Sequence, residues 1–189
     1  GAVAVSGLSE YLSVSFSMFE YNRVPYGSAM FLGSIFRSTI HNNSFVNNYA
    51  LSAGTVFWLP KTNMTEPEHL NNVSNVFYGN VAGSYGTDFA TETSRLDARP
   101  NDIYVTSYLT GTYPIKVDLV IIDFYHNVIT NENGTVLQAR IEEPDNGRLH
   151  HCFTNQPKIY GITDSVSARG KGNFYTLGGT CIPSGNMTV

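Results

Sequence analysis

Apolar and polar residues alternate along much of this chain, in short runs. Ala2-Val3-Ala4-Val5 alternates small and β-branched residues and predicts a strand. From Tyr11 to Phe19 the alternation is strict. Leu12, Val14, Phe16 and Met18 fall on one side, and Ser13, Ser15 and Ser17 on the other, the period of a half-buried strand. Ala29–Leu32, Ser34–Phe36 and Ser38–Ile40 continue the pattern, and Gly54–Leu59 is a strand stopped by Pro60. Lys61–Leu70 is polar, contains Pro67 and predicts an excursion loop. No stretch carries a helical period.

Thr91–Asp102 is charged, holds Pro100 and has few apolar residues, so it predicts a linker. Beyond it the β pattern resumes. Ile103–Val105 is one strand, and Tyr113–Ile122 places Ile115, Val117, Leu119 and Ile121 on one face. A turn is predicted at Asp123–Asn127, then strands at Gly134–Ile141, Ile159–Ala168 and, after a turn at Gly170–Gly172, Phe174–Leu177. Strands at this spacing with turn signals between them predict a sandwich. Its closing strand is short: only Asn186–Val189 follows Pro183-Ser184-Gly185, which predicts an edge left open. The expected domains are 1–99 and 100–189.

One phrase occurs three times in the first half: Phe19-Glu20-Tyr21-Asn22, Phe45-Val46-Asn47-Asn48 and Phe77-Tyr78-Gly79-Asn80. Ser17, Asn43 and Asn75 lie two residues before each copy. Val24, Ala50 and Ala82 follow, then Gly27, Gly54 and Gly86. The phenylalanines are spaced by 26 and then 32 residues. Repeats of this length, each too small to bury a core alone, predict a stacked array. Stacking in register makes an aromatic column of Phe and a ladder of Asn, with Asn taking left-handed corners and Gly supplying positive φ.

The F-x-x-N phrase with trailing Ala and Gly resembles polymorphic outer-membrane-protein-type repeats and similar right-handed β-helices in large surface proteins of microbes and single-celled eukaryotes. Asn80–Thr91 looks like the last coil of such proteins, where an immunoglobulin-like module often follows. The resemblance covers roughly residues 10–145. The phrase P-x-x-V-x-L-x-x-x-D-x-Y-x-N from Pro114 to Asn127 resembles bacterial-type and filamin-like immunoglobulin modules. Together these imply an all-β chain: a short right-handed parallel β-helix-like N-terminal part and an immunoglobulin-like β-sandwich C-terminal part.

Charged residues make up only 14 %, and net charge is −4, which argues against nucleic acid or an anionic membrane surface as partner. No apolar run is long enough for a transmembrane helix. The chain opens on Gly1 rather than Met, as after signal-peptide removal or in a fragment. Five N-x-S/T sequons, at Asn42, Asn63, Asn72, Asn133 and Asn186, point to an extracellular glycoprotein bearing N-linked glycans. In that compartment Cys152 and Cys181 are expected to form a disulfide.

Candidate chemistry is sparse. Residues 1–100 hold two Asp, Asp88 and Asp97, one Lys, Lys61, and five scattered Glu, a poor supply for a paired-carboxylate site. His150-His151, neighbours on a strand, point to opposite faces; His41, His69 and His126 are isolated in sequence. No catalytic, cofactor or metal motif is present, and no enzyme is expected. The expected role is a structural subunit of an extracellular fibril or surface appendage. Ala2, Val3, Ala4 and Val5 would act as a donor strand, joining copies into a helical homopolymer. The alternatives are an adhesin or carbohydrate-binding fragment of a larger surface protein and, behind it, a polysaccharide-degrading β-helix.

Overall fold

The computed structural model describes residues 2–5, 9–33, 35–60, 65–70, 73–99, 102–105, 115–138, 158–160, 164–180 and 185–188. Every regular element among them is a strand, and they fall into two compact units. The first comprises Gly1–Arg95 and Ile122–Asn131, the second Leu96–Ile121 and Glu132–Val189.

The first unit contains β1 (Val3–Val5), β2 (Ser9–Ser15), β3 (Met18–Glu20), β4 (Arg23–Tyr26), β5 (Met30–Leu32) and β6 (Ile35–His41). They are followed by β7 (Ser44–Val46), β8 (Tyr49–Ala53), β9 (Val56–Trp58), β10 (Val76–Tyr78), β11 (Val81–Ala82) and β12 (Phe89–Thr91). All their pairings are parallel. The ladders run β1-β5-β9-β12, β3-β7-β10, β4-β8-β11 and β2-β6, and the chain visits them in the same order on each pass.

The repeat spacing is the pairing offset. Phe19 pairs with Phe45, and Phe45 with Phe77. Their rings stack at 5.1 and 4.6 Å with planes 8° and 11° apart. Around this column pack Met30, Leu32, Ile40, Val56, Trp58 and Leu70, all buried. A bulge between Val24 and Tyr26 accounts for the one extra residue between Gly27 and Gly54 relative to Phe19 and Phe45.

Two local expectations are corrected. The alternation over Tyr11–Phe19 is not one strand: Phe16 takes a left-handed conformation (φ 51°), which ends β2 and reverses the phase. Met18 is therefore 66 % exposed and Phe19 buried. A one-residue corner is invisible to a period-two pattern. Nor does the Asn of F-x-x-N turn the corner. The residue before it does, at Tyr21, Asn47 and Gly79 (φ 53°, 52° and 65°), which frees the Asn side chain for hydrogen bonding. At Gly79 a Cβ would strike the Asn47 side-chain oxygen, so a larger residue at this left-handed corner requires the Asn47 side chain to move. The end of the expected excursion loop also returns to the fold. Glu68 lies alongside Thr39, donating its N–H to Ser38 O (2.7 Å) and accepting from Ile40 N (2.9 Å), and Leu70 enters the core.

The remaining strands are β13 (Thr93–Arg99), β14 (Asp102–Val105), β15 (Ile115–Asp123), β16 (Val136–Gln138), β17 (Lys158–Tyr160), β18 (Asp164–Val166), β19 (Lys171–Thr180) and β20 (Gly185–Thr188). They form a sheet of order β13-β15-β19-β17 and the pairs β14-β20 and β16-β18. Val117, Leu119 and Ile121 are buried, as their alternation requires, and Ala98, Val117, Leu119, Leu137 and Phe174 form a core cluster. The tight turn lies one step earlier than its glycines suggest. Ala168 and Lys171 pair across Arg169 and Gly170, both left-handed, the geometry a two-residue hairpin prefers. The short tail forms β20, antiparallel to β14 from Val105↔Gly185 to Asp102↔Thr188, as a two-stranded pair.

Candidate assembly interface

Two internal amide ladders fix the first unit's register. Asn48 Oδ1 accepts from Asn22 N and Asn22 Nδ2 (3.1 and 3.0 Å), and Asn80 Oδ1 accepts from Asn48 N and Asn48 Nδ2 (3.0 and 3.1 Å). The spare amide hydrogens go to Phe19 O and Phe45 O. In the second ladder Ser17 N donates to Asn43 Oδ1 and Asn43 N to Asn75 Oδ1, both at 3.0 Å. Corner backbone groups that would be orphaned inside the stack are thus satisfied by side chains one pass away.

At its β12 side the β1-β5-β9-β12 ladder is closed by its own chain. The Asp123 carboxylate, 1 % exposed, accepts from Thr91 N, Asn127 N and Asn127 Nδ2. Asn127 Nδ2 also reaches Phe89 O, and Phe124 N donates to Thr91 Oγ1. A turn and two side chains therefore stand where another strand would pair with β12. The aromatic column runs on through Phe89 to Tyr125, whose hydroxyl accepts from Trp58 Nε1 at 2.9 Å. Burial pushes the Tyr125 hydroxyl far above its ordinary pKa, and the Glu66 carboxylate adds to the rise, so it stays protonated.

The amide ladder ends on Asp88, whose Oδ1 accepts from Asn80 Nδ2 (3.3 Å). Burial holds the Asp88 carboxyl above its ordinary value of 3.8, and the Asn80 bond offsets part of that rise. A raised folded-state value means that folding is penalised by the buried charge. The penalty is absent below 3.8 and builds as pH rises from there through the folded value. Asp88→Asn is therefore expected to raise Tm at pH 7, with the gain shrinking as pH falls toward 4. A gain of equal size at both pH values in thermal melts contradicts this.

At the other end, β1 lies on β5 in the order Val3↔Met30, Ala4↔Phe31, Val5↔Leu32. Val3 N donates to Ala29 O (3.0 Å), Gly33 N donates to Val5 O (2.7 Å), and Val3 and Val5 pack half-buried on the core. The strand proposed from sequence as a donor is thus seated on its own chain. The outer edges of β3 and β4 carry no strand among the described residues. They bear Glu20, Arg23 and Pro25, two charged side chains and a missing N–H that discourage strand addition.

Of the other residues singled out from sequence, Asn42 and Asn133 are exposed, and Asn186 lies in β20. Asn63, Asn72, Cys152, Cys181 and His150-His151 lie outside the described residues. None of the laddered asparagines, Asn22, Asn43, Asn48, Asn75 and Asn80, heads a sequon. His41 and His69, distant in sequence, meet edge-on at 6.3 Å beside a shallow hollow. Among the described residues no group of three or more His, Cys, Asp and Glu is placed to hold a metal ion, and no helix is long and apolar enough to cross a membrane. Sequence reasoning missed the closing role of Asp123 and Asn127. Their D-x-x-x-N spacing, which lets one carboxylate take the N–H four residues on, was the available signal. Comparison with protein-family models, curated proteins and solved structures finds no match to this chain.

Proposed function

We propose that this chain is a structural subunit of an extracellular fibril, in which β1 of one copy takes the β1 seat of the next. In this reading the first unit is a short parallel β-helix and the second an immunoglobulin-like sandwich. The observation that carries it is the asymmetry of the β1-β5-β9-β12 ladder: its β12 side is closed by Ile122–Asn131, while its other side ends on the three-residue strand β1.

The energetics favour exchange. Half-burying Val3 and Val5 contributes only about 1–3 kcal/mol. A neighbour's strand restores the same contacts, so exchange changes little in enthalpy, and at high subunit concentration the intermolecular form propagates head to tail. Negative-stain electron microscopy tests this with and without residues 1–7. Fibres are expected from the full chain and only monomers from the truncated one. Fibres of unchanged length and number after truncation sink the exchange. Monomers of the full chain that bind a polysaccharide would instead favour the adhesin reading.

A further inference from the structure

We infer that Asn42 carries an N-linked glycan whose first sugar packs against Phe16, the residue laid directly over it; this rests on the extracellular reading. Phe16 and Tyr21 are both exposed aromatics at left-handed corners, each lying over an asparagine of the next pass, but only the asparagine under Phe16 heads a sequon. Phe16 is 79 % exposed, and it holds a left-handed φ of 51°, a conformation costly for a bulky aromatic. In the next pass the same corner is Asn42, with φ 55°. Ser15 pairs with His41 and Ser17 N bonds Asn43 Oδ1, so Phe16 and Asn42 are ladder neighbours, about 4.8 Å apart along the stack.

Asn42 heads the sequon Asn42-Asn43-Ser44 and is exposed, whereas Asn43 beside it is buried in the amide ladder. Its backbone N donates to Ser74 Oγ (3.4 Å), and its Nδ2 lies 3.2 Å from His41 Nδ1. Below the corner lies a hollow of about 320 Å³ lined by Thr39, His41, Asn42, His69 and Ser74. Its hydroxyls and imidazoles suit sugar hydroxyls. The His41 ring meets Phe16 edge-on at 5.9 Å, so the aromatic face and the hollow adjoin. In the transfer, Nδ2 bonds to the anomeric carbon of a lipid-diphosphate-linked oligosaccharide. The sugar–phosphate bond breaks, the lipid diphosphate leaves, and the amide loses one proton. The apolar face of the attached N-acetylglucosamine then covers the Phe16 ring, as C–H groups do on aromatic faces.

The test has two parts. Glycopeptide mass spectrometry of protein from its natural source is expected to find Asn42 occupied. Bare Asn42 with sugar on other sequons overturns the inference and leaves the extracellular reading standing; all five sequons bare overturns both. Then protein secreted from eukaryotic cells and trimmed to one N-acetylglucosamine per site is compared with sugar-free protein made in bacteria. The trimmed form is expected to melt about 2–4 °C higher. The difference should vanish in Phe16→Asn, which suits the left-handed corner, and proton NMR should show contacts between the N-acetylglucosamine and the Phe16 ring. An equal difference in Phe16→Asn, with no such contacts, overturns the inference.

Discussion

Replacing Asn48 with leucine is expected to unfold the first unit or to lower its stability by about 3–6 kcal/mol, although the side chains have similar volume. Asn48 accepts two hydrogen bonds from Asn22 and donates to Phe19 O and to Asn80 Oδ1. Leucine leaves Asn22 N, Asn22 Nδ2 and Phe19 O without that partner, while Asn80 Oδ1 keeps its bond from residue 48 N; each group left unsatisfied costs about 1–3 kcal/mol. Against a whole-domain stability of about 5–15 kcal/mol this is close to decisive. Denaturant melts followed by circular dichroism check it. A loss below about 1 kcal/mol means the ladder is ornamental and packing alone sets the register.

Phe45→Ala is expected to cost about 3–5 kcal/mol from cavity and transfer terms. The side chain is fully buried and stacks on Phe19 and Phe77, so its loss breaks the column at the middle. Tyr78→Ala is the control. Tyr78 is one residue from Phe77 on the same strand but 71 % exposed, so its truncation is expected to change stability by less than about 0.5 kcal/mol. Trp58, the chain's sole tryptophan, contacts Phe124 and Tyr125 and reports the melt by fluorescence. Similar losses at Phe45 and Tyr78 would contradict the inward assignment of the Phe.

The all-β character was legible because alternation and turn residues are local signals. The pairing of the three Phe was legible because a stacked array writes its offset into the spacing of its repeats, here 26 and 32 residues. The corners were not. Phe16 and Tyr21 occupy left-handed positions that nothing in their residue type announces, since stacked neighbours impose the conformation. The closing segment was hidden differently. Asp123 and Asn127 lie in a stretch that reads simply as a turn between two sandwich strands. Only the long-range bonds to Thr91 and Phe89, more than thirty residues back, reveal what they do. Glu68 and Leu70 were masked by the polar composition of the segment they terminate.

Strand exchange is tested most directly by pairing cysteines across the β1 seat. Ala4 and Phe31 are ladder partners, so Ala4→Cys with Phe31→Cys places two thiols opposite each other wherever β1 docks. The chain without these substitutions, with Cys152 and Cys181 retained, is the control. After oxidation of assembled material, a non-reducing denaturing gel is expected to show a ladder of covalent multimers that collapses on reduction. Fibres whose cross-linked chains all run as monomers would show that β1 never leaves its own subunit.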